Sequence, residues 1–136
     1  MRAGDAAGGE GAREGSGDGG GAVWEATLLS LVRSVSDARH SYALAVEHRV
    51  DLERQLDDFV ELWDEMLGHT RVGEILFAMG GTDTSIYVGL DDGERFFYDG
   101  VVQDKMLLER ARARELGMMV KLSRTKMLLE RARARE

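Results

Sequence analysis

An apolar residue recurs every three or four positions from Trp24 to Met66, and this ladder constrains the fold more than any other feature. Only Arg49 interrupts it. A spacing that averages about 3.5 residues keeps one stripe facing a partner along a slightly underwound helix, so the ladder predicts a long coiled-coil helix. Because such a helix cannot bury its stripe alone, it needs another helix. The ladder consists of Trp24, Leu28, Leu31, Val35, Ala38, Tyr42, Ala45, Leu52, Leu56, Phe59, Trp63 and Met66.

Composition narrows the class of protein. The 136 residues include no cysteine, which excludes disulfides, thiolate metal sites and cysteine nucleophiles and is typical of a reducing compartment. No run approaches the roughly 20 apolar residues that span a bilayer. We therefore expect a soluble protein of the cytoplasm or also the nucleus, without a membrane partner.

Charge is unevenly distributed along the chain. Residues 1–100 carry 8 basic and 20 acidic groups, a net charge of −12, whereas residues 101–136 carry 10 basic and 5 acidic groups, a net charge of +5. Two helices of opposite charge that lie against each other would use this asymmetry, and so would an acidic partner or nucleic acid.

The chain divides into four segments by composition. Residues 1–22 contain nine glycines and predict a disordered tail, ahead of a single domain over 23–136. Residues 23–67 lack glycine and proline and predict the first helix, which ends at Gly68 as a left-handed cap. Residues 71–100 predict a β segment, and residues 101–136 return to strong helix formers.

The expected β segment has a period of two rather than 3.5. Residues 74–79 form a short apolar run, residues 84–90 alternate polar and apolar side chains, and residues 95–99 follow a glycine turn at 91–94. An isolated hairpin is marginal in water, so these strands should join a larger sheet. The expected fold class is α+β, a long antiparallel coiled-coil helical hairpin joined by a short β-hairpin segment.

The second helix contains an exact repeat. Residues 105–115 recur at 126–136, an offset of three heptads that keeps Leu108 and Leu129 on one stripe. Glu115 and Thr125 also fall on that stripe. The repeat has a second explanation, a recent duplication without a function of its own.

Catalytic and metal-binding patterns are missing from the sequence. His40 and His48 are eight residues apart, which is not the spacing of two ligands on one helix face, and no third ligand is apparent. We expect no enzyme activity, no cofactor and no metal. The arginine runs at 110–114 and 131–135 are expected to pair with acidic helix residues rather than with nucleic acid, because no aromatic residue interleaves with them.

Four places in the sequence resemble the prefoldin family, in particular its α-type prefoldin-like subunits. These places are His48-Arg49 with Gln55-Leu56, residues 83–90, Phe96-Phe97, and residues 127–130. The resemblance implies a hetero-oligomeric co-chaperone subunit whose β segment assembles with other prefoldin or prefoldin-like subunits. Its coiled-coil tips would hold non-native client proteins and pass them to a chaperonin or to the assembly machinery of RNA polymerase.

Two sets of residues carry that expectation. The expected subunit-assembly residues are Ile75, Phe77, Ile86, Val88, Phe96 and Tyr98. The expected client-binding tips are Trp24, Leu28, Leu29, Met127, Leu128 and Leu129, although simple coiled-coil packing explains each of them as well.

Two other functions remain open from the sequence. One is a homodimeric coiled-coil adaptor in which Arg49 sets register or partner choice. The other is a nucleic-acid-associated transcription cofactor that uses the basic C-terminal region.

Overall fold

A computed structural model describes residues 18–81 and 85–135, and these residues are almost entirely helical. Helix α1 runs from Asp18 to Leu67, α2 from His69 to Met79, a short 3₁₀ turn from Ser85 to Gly89, and α3 from Asp92 to Ala134. The described residues contain no strand, so the expected α+β fold with a β-hairpin is wrong. Residues 1–17 of the expected tail lie outside the described residues, and α1 begins at Asp18 rather than at Val23.

The chain divides into two compact units. The first unit comprises Met1–Tyr42 with Met118–Glu136, and its described residues belong to α1 and α3 alone. Val35 and Ala38 on α1 are buried, as are Leu129 and Ala132 on α3. Because these two helices are the described elements of the unit, burial on both indicates that they pack along their 3,4-spaced stripes.

The second unit, Ala43–Gly117, contains the larger core. Phe97, Ile75 and Val101 are its largest fully buried side chains, and they belong to α2 and α3. The ladder residues Phe59 and Trp63 of α1 pack against this cluster. The rings of Phe59 and Phe97 stack with their centroids 6.0 Å apart. The core therefore joins the last turns of α1 to α2 and to the first turns of α3.

Gly68 separates α1 from α2. Its φ of 95° is positive, as in the left-handed cap that the sequence predicts, but its ψ of 143° lies outside the left-handed helical region. The Gly68 amide donates to the Asp64 carbonyl at 3.0 Å, and the Gly68 carbonyl accepts from the Val72 amide at 3.0 Å. One residue thus closes α1 and opens α2, because glycine tolerates a backbone conformation that other residues rarely adopt.

The start of α3 explains why the expected hairpin turn at 91–94 is a helix cap. The Asp91 carboxylate accepts from the Glu94 amide at 2.8 Å, and the Glu94 carboxylate accepts from the Asp91 amide at 3.0 Å. This reciprocal pair is a capping box, which starts a helix. Residues 95–99, expected as a strand, are consequently the first turns of α3.

The other two expected strands are helical for reasons of burial. Val72, Ile75, Leu76 and Met79 have helical spacing and all contribute to the core, so the run at 74–79 forms part of α2. Within the expected strand at 84–90, Leu90 is buried while Val88 exposes 79% of its surface. The 3₁₀ turn between Ser85 and Gly89 breaks the expected alternation, and Thr84 lies outside the described residues.

A glycine in α3 makes room for an aromatic ring of α1, and this close approach gives a testable prediction. A Cβ atom built on Gly100 would lie 2.3 Å from Cζ of Phe59. We expect Gly100→Ala to lower the free energy of unfolding by about 1–3 kcal/mol, because the Phe59 ring must leave its stack on Phe97. Urea unfolding followed by circular dichroism measures this change.

Gly117 on the same helix provides the matched control. A Cβ atom there meets no heavy atom within 4 Å. Gly117→Ala should raise stability by up to about 1 kcal/mol, since alanine has the higher helix propensity. Equal effects of the two substitutions would contradict the packing of Phe59 on Gly100.

Candidate interaction surfaces

A cluster of charged residues crosses between α1 and α3 in the second unit. Nε of Arg49 donates to Glu115 at 2.8 Å and its Nη1 donates to Glu53 at 2.6 Å. Nη2 of Arg112 donates to the second oxygen of Glu53 at 3.3 Å. As the residue number rises from 49 to 53 on α1, the partner number falls from 115 to 112 on α3. The two helices are therefore antiparallel here.

These hydrogen bonds favour the charged forms of Arg49 and Glu53. The hydrogen bonds that Arg49 donates, first to Glu115 and then to Glu53, raise the pKa of Arg49. The bond from Arg49 lowers the pKa of Glu53. Arg49 is the one interruption of the apolar ladder, and Glu115 is a polar residue that the sequence places on the α3 stripe. Two of the polar exceptions to the apolar pattern, Arg49 and Glu115, thus contact each other within one chain.

We predict that this pair fixes the helix register rather than adding much stability. Arg49→Met should lower the urea midpoint of unfolding, because it leaves the half-buried Glu115 carboxylate without its partner. Arg49→Met combined with Glu115→Leu should recover the midpoint or exceed it, since an apolar pair completes both stripes. Strictly additive midpoint losses in this double-mutant cycle would contradict a direct Arg49–Glu115 interaction.

The expected assembly residues do not lie on one surface. Ile75 is fully buried, and Ile86 and Tyr98 pack partly buried against the same core. Phe77 exposes 88% of its surface, and Val88 and Phe96 are also exposed. Three of the six residues therefore serve the fold of the second unit, and Phe77 and Val88 face outward. Phe96 is exposed, but its ring also contacts Trp63, with the ring centroids 5.5 Å apart.

The 3₁₀ turn is held against α3 by several contacts. The Tyr87 hydroxyl donates to the Asp99 carboxylate at 3.2 Å, and the Arg95 guanidinium donates to the Val88 carbonyl at 3.0 Å. The rings of Tyr87 and Tyr98 meet edge to face with their centroids 5.1 Å apart. Partial burial raises the pKa of Tyr87, and the bond to Asp99 acts in the same direction. Tyr98 is thus a packing residue of this turn.

The expected client-binding residues divide in the same way. Trp24 and Leu28 are half-buried on the α1 stripe, and Leu129 is buried on the α3 stripe. Leu29, Met127 and Leu128 each expose about half of their surface. In the first unit, three apolar side chains of the expected six are therefore accessible to another polypeptide.

The outer side of α3 in the second unit carries a surface that sequence reasoning missed. Val102, Met106 and Leu107 are exposed, and they line a hollow of about 280 Å³. We call this surface the α3 hollow; its lining is Asp99, Val102, Gln103, Met106, Leu107 and Arg110. The sequence contains a signal for this surface, because its residues repeat at helical spacing on positions outside the buried stripe of α3.

A second hollow lies on α1 of the same unit. It measures about 260 Å³ and is lined by one exposed leucine and three carboxylates. We call it the α1 acidic face; its residues are Asp58, Glu61, Leu62 and Glu65. None of these carboxylates forms an ion pair within residues 18–81 and 85–135.

Clusters of metal-ligating side chains are absent from the described residues. No group of three or more histidine, aspartate or glutamate side chains among them is placed to hold a metal ion. Nδ1 of His69, at the start of α2, lies 3.0 Å from Oδ1 of Asp64, near the end of α1. Across the described helices, none is long and apolar enough to cross a membrane.

No protein-family model matches this chain, and no curated protein or solved structure is significantly similar to it. Its function must therefore be argued from the geometry of its own surfaces.

Proposed function

We propose that this protein is a non-enzymatic coiled-coil module that binds other polypeptides through the outer side of α3. The α3 hollow carries this proposal. The inner stripe of α3 in this unit, with Phe97, Val101 and Leu108, is already buried in the fold. Val102, Met106 and Leu107 remain exposed on another side of the same helix. Clustered apolar side chains with a polar rim are typical of protein interaction sites.

The proposal replaces the sheet-based assembly that a prefoldin-like subunit would use. Among residues 71–81 and 85–100, which the structure describes, the elements are α2, the 3₁₀ turn and the start of α3, so these residues offer no strand edges to partner subunits. Binding to other polypeptides stays part of the proposal, but through helix faces. A helix-in-groove mode, in which an amphipathic helix places its apolar side chains into the hollow, fits this surface.

A single substitution in the hollow tests the proposed function. We expect Met106→Asp to deplete the polypeptides that co-purify with the protein from its native cells, because it places a charge in an apolar contact. Leu44→Asp is the control, since Leu44 is a similarly exposed apolar residue of the same unit outside the hollow. Identical sets of co-purifying polypeptides for wild type and Met106→Asp, at matched helicity, would contradict the proposal.

Capture of non-native polypeptides is a second candidate function. The exposed side chains of Leu29, Met127 and Leu128 in the first unit favour it, because flexible and large apolar groups suit weak and unselective binding.

Suppression of aggregation measures this second function. Wild-type protein should slow light scattering by a chemically denatured model protein, and Leu128→Lys should lose at least about half of that effect, because it removes one of the three exposed anchors. Leu44→Lys should retain it. Equal activity of Leu128→Lys and wild type would remove this candidate.

A further inference from the structure

We propose that the α3 hollow of one copy of this chain binds the α1 acidic face of a second copy. This inference rests on the proposed function, because it names the partner of the same hollow. Both surfaces lie in the second unit, on different helices of one chain. The α3 hollow has apolar side chains and an arginine, whereas the α1 acidic face has one leucine among three carboxylates.

The first complementarity is one of shape. Leu62 is an apolar side chain that exposes 54% of its surface and is surrounded by carboxylates. On α3, the side chains of Val102, Met106 and Leu107 border a shallow, open depression on the surface of that one helix. Placing Leu62 in that hollow removes apolar surface from water on both copies.

The second complementarity is one of charge. Arg110 lines the hollow and forms no ion pair within the part of the chain that the structure describes. Arg114 lies one turn further along α3 and is likewise without an ion pair there. By contrast, Arg112 is already paired with Glu53. The arginines nearest the hollow are thus available to the carboxylates of another copy.

The spacing along the two helices is compatible with both contacts at once. Met106 and Arg110 are one helical turn apart, and Leu62 is one turn from both Asp58 and Glu65. When Leu62 of one copy occupies the hollow beside Met106 of the other copy, either Asp58 or Glu65 reaches Arg110. Which of the two carboxylates does so depends on whether the two helices run parallel or antiparallel. Asp99, the one carboxylate in the hollow, accepts a hydrogen bond from Tyr87.

Charge reversal on each surface gives the test, with self-association measured by sedimentation equilibrium of the full chain. Wild type should self-associate, and about 0.5 M salt should weaken it relative to about 0.05 M. The dissociation constant should rise by about tenfold or more in the single variant Arg110→Glu. It should rise by as much in the double variant Asp58→Arg with Glu65→Arg, since like charges then face each other in both cases.

Mixing the two variants should restore association, because each then presents a surface of opposite charge to the other. This restoration also shows that both variants fold. Asp37→Arg with Glu47→Arg reverses two other exposed acids of α1 and should leave the dissociation constant unchanged. Wild type that stays monomeric at low salt, or variants that associate no better when mixed, would overturn the inference.

The outcomes separate this inference from the proposed function. If wild type is monomeric while Met106→Asp still depletes co-purifying polypeptides, the hollow binds another protein and only the second copy is excluded. If wild type is monomeric and Met106→Asp depletes nothing, both proposals fail.

Discussion

The apolar stripe of α1 must be covered, and the second unit shows how the chain meets that requirement. Leu56, Phe59 and Trp63 pack against buried residues of α2 and α3. The contact is close enough that the Phe59 ring lies where a side chain on Gly100 would be. Since these aromatic residues bury large apolar areas, their packing fixes how α2 and the start of α3 lie against α1.

Polar residues then determine the alignment within that unit. Apolar stripes alone permit slippage by a heptad, because every register buries a similar area. The Arg49–Glu115 contact and the Glu53–Arg112 contact exist in one register only. At the other end of the unit, Arg71 of α2 pairs with Glu94, the residue that also caps α3. The salt bridges thus contribute specificity where the core contributes stability.

Long periodic segments were predictable from the sequence, and short ones were not. Three predictions agree with the structure: the α1 ladder, the end of α1 before Gly68 and the placement of Glu115 on the α3 stripe. They agree because many residues along each helix share the same apolar period. Met66 departs from the ladder, since it is exposed while Leu67 contacts the core. The run at 74–79, with five apolar residues after Glu74, is too short to show a period. The sequence Asp91-Asp92-Gly93-Glu94 suits a hairpin turn as well as a capping box. The α3 hollow was not predicted, because its residues lie on helix positions outside the buried stripe.

The central claim is that residues 69–79 and 92–100 are helical and pack within their own chain, which leaves apolar side chains on the outer side of α3 exposed. Backbone chemical shifts measured by nuclear magnetic resonance test it residue by residue. We expect downfield Cα shifts typical of helix from His69 to Met79 and from Asp92 onward through Gly100. Upfield Cα shifts typical of strands at residues 74–79 and 95–99 would contradict the account and restore a β segment at this place.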